Sequence, residues 1–110
     1  MAGRKTAITG IVSSYVKALQ EQMTVKKVYL FGSRARGSAR PDSDIDLAVI
    51  SADAGSSKRL YDVMAWASLA ALRVDPNIEP VIMTPQEIAK PEKGSLAEEV
   101  LKTGILVYSG

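Results

Sequence analysis

Apolar side chains recur at helical spacing near the start of the chain: Ile8, Ile11, Val12, Tyr15, Val16 and Leu19. Residues three and four apart share one face of a helix, so this stripe predicts an amphipathic helix over roughly residues 6 to 22. Gly10 weakens it slightly, because glycine loses more backbone freedom on ordering than alanine does. The period then changes. Val25 to Phe31 is a β-rich run, predicting a first strand stopped by Gly32. Ser33 to Arg36 has the composition of a short helical turn, which Gly37 closes in a left-handed conformation. Pro41-Asp42-Ser43 is turn chemistry, and Ile45 to Ile50 predicts the second strand.

Ser51 to Ser57 reads as a small-residue loop in which Ser56 or Ser57 caps a helix over about 58 to 73. Leu60, Val63, Met64, Ala67 and Ala71 form its predicted buried stripe. Trp66 lies off that stripe, where it either covers a core edge or faces a partner. Asp75-Pro76-Asn77 breaks the chain before a third strand, Ile78 to Met83. Pro80 removes a ladder donor from that strand, which places it at a sheet edge or makes it irregular. Thr84 reads as the N-cap of a short helix with Pro85 at its first position. A last helix, about 95 to 103, ends at Gly104, and Ile105 to Tyr108 forms a final strand or an extended tail. The expected architecture is a single α/β or α+β domain over residues 1–110, a small mixed sheet flanked by helices.

Composition narrows the chemistry. A chain of 110 residues supports one core, and its 46% apolar and 24% charged content is ordinary for a globular protein. No apolar run approaches the roughly 20 residues that cross a bilayer, and the N-terminus lacks the apolar segment of a signal peptide, so the expected location is the cytoplasm. There is no cysteine and no histidine. That excludes thiol nucleophiles, disulfides, Ser-His-Asp triads and nearly all zinc chemistry. Catalysis by this chain rests on carboxylates, hydroxyls, amines and a hard metal. The net charge of +2 does not argue for nucleic acid. Arg34, Arg36 and Arg40 nevertheless fall together between Gly32-Ser33 and Asp44-Ile45-Asp46, either as solvated loop residues or where an anionic ligand approaches.

The pair Asp44 and Asp46 is chemically odd at the start of a strand. Alternation puts both side chains on one face, roughly 6–7 Å apart along the chain. Two such carboxylates repel and resist burial unless a cation lies between them. Magnesium prefers oxygen ligands and is typically held by one or two carboxylates together with substrate phosphates. A glycine turn that exposes backbone N–H groups, with a serine hydroxyl beside it, suits the phosphates themselves. Glu79, second in its strand, is the candidate third carboxylate, since a neighbouring strand lies only about 4.8 Å away. Asp75 competes, but it belongs to a turn and is expected to cap local backbone.

Gly32-Ser33, ten intervening residues and then Asp44-Ile45-Asp46 resemble the signature of the DNA polymerase beta-like nucleotidyltransferase superfamily. The segment VYLFGSRARGSARPDSDIDLAVI resembles its strand–Gly-Ser–strand core, and EEVLKTGILVY resembles its usual C-terminus. The short length points to the minimal nucleotidyltransferase (MNT) branch, antitoxin partners of HEPN-domain toxins. The resemblance implies that Gly32 and Ser33 bind the nucleoside triphosphate, and that Asp44 and Asp46 coordinate magnesium. Glu79 stands where the family often has an aspartate, as the third ligand of a two-ion site. Arg36 and Arg40 are not motif positions, and their phosphate contacts are inferred from charge alone. The implied activity is magnesium-dependent transfer of AMP from ATP to a tyrosine hydroxyl of a cognate HEPN toxin, with which the chain forms a hetero-oligomer. Its role would be that of the antitoxin in a type VII-like toxin–antitoxin pair, with no membrane and no direct nucleic-acid binding. Two other functions share these residues: an antitoxin that acts by binding alone, and a nucleotidyltransferase acting on a small molecule.

Overall fold

The structure, a computed structural model, describes residues 2–35, 37 and 44–110, with the backbone alone for 2–7, 57 and 58. Helix α1 (Ala2–Leu19) precedes strands β1 (Lys27–Phe31) and β2 (Ile45–Ile50). After a 3-10 turn over Ala52–Gly55 come α2 (Ser57–Val74), β3 (Ile78–Met83), the short α3 (Pro85–Ala89), α4 (Leu96–Thr103) and β4 (Ile105–Ser109). The four strands form one mixed sheet in the order β3-β2-β1-β4. β1 runs antiparallel to both β2 and β4, whereas β2 and β3 are parallel. The segment 105–109 is thus a strand and not a tail.

The sheet is covered on both faces, and alternation decides which residue serves which side. Val28, Leu30, Ile45, Leu47, Val49 and Ile78 pack with Val12, Tyr15, Val16 and Leu19 of α1 and Val63, Ala67, Ala70 and Ala71 of α2. Burying each large aliphatic side chain here contributes about 1.5–3 kcal/mol. On the other face Phe31, Ala48, Ile50 and Met83 meet Ala97 and Val100 of α4, with Ile88 of α3 against them. Because both faces are covered, β2 is apolar at every position from Leu47 to Ile50 instead of alternating with polar residues.

Local chemistry sets the element ends. Ser56 caps α2, its hydroxyl accepting from Arg59 N–H at 3.3 Å. Thr84 and Glu87 form a reciprocal capping box that starts α3, with Pro85 at its first turn. Pro80 sits in β3, which is an edge strand, as its missing donor requires. Two expectations are corrected. α1 begins at Ala2 and stops at Leu19, because residues 20–22 tighten into turns. In α2, Met64 lies exposed outside the buried stripe. Trp66 covers a core edge: its Nε1–H donates to Ala18 O at 3.2 Å while the Arg73 guanidinium lies 6.0 Å from the ring centre. Among the described residues, no helix is long and apolar enough to cross a membrane.

Candidate active site

Phe31, Asp46 and Glu79 stand in one row across three strands, Asp46 opposite Phe31 on one side and opposite Glu79 on the other. In-register neighbours project to the same face. The next rows on that face are Tyr29–Ala48–Val81 and Lys27–Ile50–Met83, and Ala48, Ile50 and Met83 lie beneath α3 and α4. Those helices cover one end of the face with apolar side chains, and the carboxylates occupy the other end. Asp44 precedes β2 directly and is exposed, as is Glu79, while Asp46 is half-buried.

Chain reversal after β1 brings the Gly-Ser turn onto the same carboxylates. Gly32 has φ +74°, a left-handed conformation that glycine alone adopts without strain. A Cβ built there would collide with Oδ2 of Asp46 and lie 3.2 Å from its Cγ. The turn backbone therefore rests directly against an acidic side chain, with the half-buried Ser33 following it. Gly37 closes the turn as expected, at φ +73° and with its N–H donating to Arg34 O at 3.3 Å.

Electrostatics ties the third carboxylate to the other two. The Glu79 carboxyl is raised above the ordinary glutamate range, first by the charge of Asp44, then by partial desolvation and the charge of Asp46. A side-chain hydrogen bond with Asp44 acts in the same direction. All three acids thus lie within electrostatic reach at one end of one sheet face. Among the described residues no group of three acidic side chains stands ready to hold a metal ion. The donor set is nevertheless all oxygen, with no nitrogen or sulfur ligand, and so suits a hard divalent cation.

Of the residues singled out from sequence, Gly32, Ser33, Asp44, Asp46 and Glu79 come together in this way. Arg36 and Arg40 lie outside the described residues, as does the Pro41-Asp42-Ser43 turn. Asp75 serves the backbone, its Oδ1 accepting from Asn77 N–H at 2.9 Å. Tyr61 is 73% exposed on the outside of α2. Sequence reading also missed a cleft of about 420 Å³ beside Glu79, lined by Ser68, Leu72, Pro76 and Pro80 among others. The signal was present, because α2 carries apolar residues on two faces and not one.

A small mixed sheet flanked by helices, with an acidic row beside a glycine turn, defines a nucleotidyltransferase fold. The chain belongs to the family described as Polymerase beta, Nucleotidyltransferase, whose model matches residues 14–110. A 69-residue stretch is 33% identical to the protein adenylyltransferase MntA of Thermococcus cleftensis, spanning 62% of this chain and 70% of that protein. Among solved structures, a chain of a toxin–antitoxin complex with AMP-PNP superposes with a TM-score of 0.60 at 22% identity, covering 89% of this chain and 73% of its own. A chain of the tri-AMPylated Shewanella oneidensis HEPN toxin in complex with MNT antitoxin does so with a TM-score of 0.52 at 21% identity, over 86% of this chain and 66% of its own. At those identities the two structures establish a shared fold.

Proposed function

We propose that this chain is a magnesium-dependent protein adenylyltransferase that transfers AMP from ATP to a tyrosine hydroxyl of a HEPN-domain toxin, and so acts as its antitoxin. The observation that carries this reading is the row of Asp46 and Glu79, with Asp44 beside it, packed against the Gly32 turn. The relative named a protein adenylyltransferase supports the reaction class. The two toxin–antitoxin structures support the kind of partner.

In this reading the N–H groups of the Gly32-Ser33 turn and the Ser33 hydroxyl hold the triphosphate. Asp44, Asp46 and Glu79 would hold the magnesium ions, which when bound would supply positive charge for the phosphoryl oxygens and for the ionising acceptor hydroxyl. The turn and the carboxylates together fix the α-phosphorus at the exposed end of the sheet face. There the tyrosine oxygen bonds to it as the bond to pyrophosphate breaks. Arg36 and Arg40, on the segment joining the turn to Asp44, are proposed to meet the phosphates. With the acids at the open end of the face, the acceptor approaches from outside the chain.

The test is incubation of the full chain with α-labelled ATP, magnesium and a HEPN-domain protein from the same genome. The expected result is label on a HEPN tyrosine, abolished by Asp44→Asn and Asp46→Asn. Protection of cells by those two variants, with no label transferred by the wild type, would reject the enzymatic reading.

A further inference from the structure

We infer that the outward face of α2 and the cleft at its foot form the docking surface for the acceptor protein; this deepens the adenylyltransferase reading and rests on it. α2 buries Val63, Ala67, Ala70 and Ala71, yet its opposite side is also apolar. Tyr61, Met64, Leu69 and Leu72 are 73%, 48%, 55% and 66% exposed. At 100° per residue they fall with Ala65 and Ser68 on one stripe, about 17 Å long from Tyr61 to Leu72. A helix that needed only to cover the sheet would carry polar residues there.

The stripe leads to the chemistry. Leu72 and Ser68, near its C-terminal end, also line the cleft of about 420 Å³, whose other walls include Pro76, Pro80 and Glu79. An apolar track therefore runs down α2 to the β3 edge of the sheet, where Glu79 lines the same cleft and the acidic row lies around that edge on the opposite face. The exposed apolar side chains at the other sheet edge, Ile105 and Leu106, stand on β4, three strands away from Glu79.

Area decides between occupants. Four side chains this exposed present on the order of 400 Å² of apolar surface, near the upper end of what a monomer leaves bare. A stable interface takes about 800 Å² from each partner. Two copies of the chain pairing through this stripe would bury about half of that. An acceptor protein lying along the stripe and filling both cleft and site would supply the remainder. The occupant is therefore the acceptor, which presents an apolar surface to the stripe and reaches the acidic row with its reactive hydroxyl around the β3 edge.

The experiment measures, for wild type, Leu69→Glu/Leu72→Glu and Met64→Lys, calorimetric affinity for the HEPN-domain protein, MgATP affinity, and kcat and KM for labelling. Both variants change exposed positions, and circular dichroism checks that they fold. Ile105→Glu is the control at the far edge. The expected result is at least about a tenfold loss of acceptor affinity in the α2 variants, carried mainly by KM, with MgATP affinity and the control unchanged. Acceptor affinity within about twofold of wild type would overturn the inference. So would self-association of the chain that Leu69→Glu/Leu72→Glu abolishes without touching acceptor binding. If the wild type binds the HEPN protein but transfers no label, the catalytic reading fails and the affinities still decide the docking surface. If it does not bind at all, both fall.

Discussion

The Asp46 carboxylate occupies the space into which any side chain at position 32 would project, so Gly32 and Asp46 pack as a unit. The Gly32 turn and the acidic row are thereby held at a fixed separation. Replacing Gly32 by alanine strains a left-handed backbone, at a cost of about 1–2 kcal/mol, and also pushes Asp46 out of its row. The expected outcome is a lowered melting temperature together with at least a tenfold loss of transfer, read by thermal denaturation and label incorporation.

Removing the acids separates catalysis from folding. Asp44→Asn, Asp46→Asn and Glu79→Gln each delete part of the charge that would hold the divalent ions, and each is expected to lower transfer at least about a hundredfold. None should lower the melting temperature in the presence of a chelator, because each relieves repulsion among neighbouring carboxylates. A variant that melts well below wild type under those conditions would show the row to be structural instead.

Glu79 gives stability a distinct pH dependence. Its carboxyl is raised by Asp44, by desolvation and by Asp46, so the folded protein holds that proton more tightly than the unfolded chain does. The stability this contributes is fully present below the ordinary glutamate range and is lost as pH climbs through the raised folded value. In a chelator, urea midpoints of wild type should therefore fall relative to those of Glu79→Gln across that window. Magnesium with ATP at neutral pH should restore the wild type selectively. Parallel curves in chelator would rule out the coupling.

Tyr15 and Gly10 test the scaffold. The fully buried Tyr15 hydroxyl donates to Ala67 O at 2.8 Å, joining α1 to α2, and burial pushes its ionisation up so that it stays a donor at any working pH. Tyr15→Phe should cost about 1–3 kcal/mol by leaving that carbonyl unpaired. Gly10 is an exposed position within α1 where an added Cβ meets nothing within 4 Å. Gly10→Ala should therefore stabilise by about 0.4–1 kcal/mol. Both are read from denaturant midpoints.

Most elements were legible because their local signals agree with the tertiary structure. The caps at Ser56 and Thr84, the edge position required by Pro80 and the strand 45–50 all follow from residue chemistry. The pairing of Asp46 with Glu79 was expected from strand spacing, and the parallel register supplies it. What sequence did not reveal depends on non-local packing. That Gly32 is glycine partly because of Asp46 follows only once β1 and β2 are paired. Met64 was placed in the core because positions 60, 63, 64, 67 and 71 satisfy helical spacing, yet α2 carries a second apolar stripe on its outer side. The 3-10 turn at 52–55 was hidden in a run of small residues, where Ser51 and Asp53 bind backbone at Thr24 and hold the turn against the connection from α1 to β1.

The most direct test is a crystal structure of the chain grown with manganese and a non-hydrolysable ATP analogue, with the metal located by its anomalous signal. The account predicts ion peaks about 2.1 Å from carboxylate oxygens of Asp44, Asp46 and Glu79, with the triphosphate on the N–H groups of Gly32 and Ser33. Metal and nucleotide bound elsewhere, with these three acids unliganded, would contradict it.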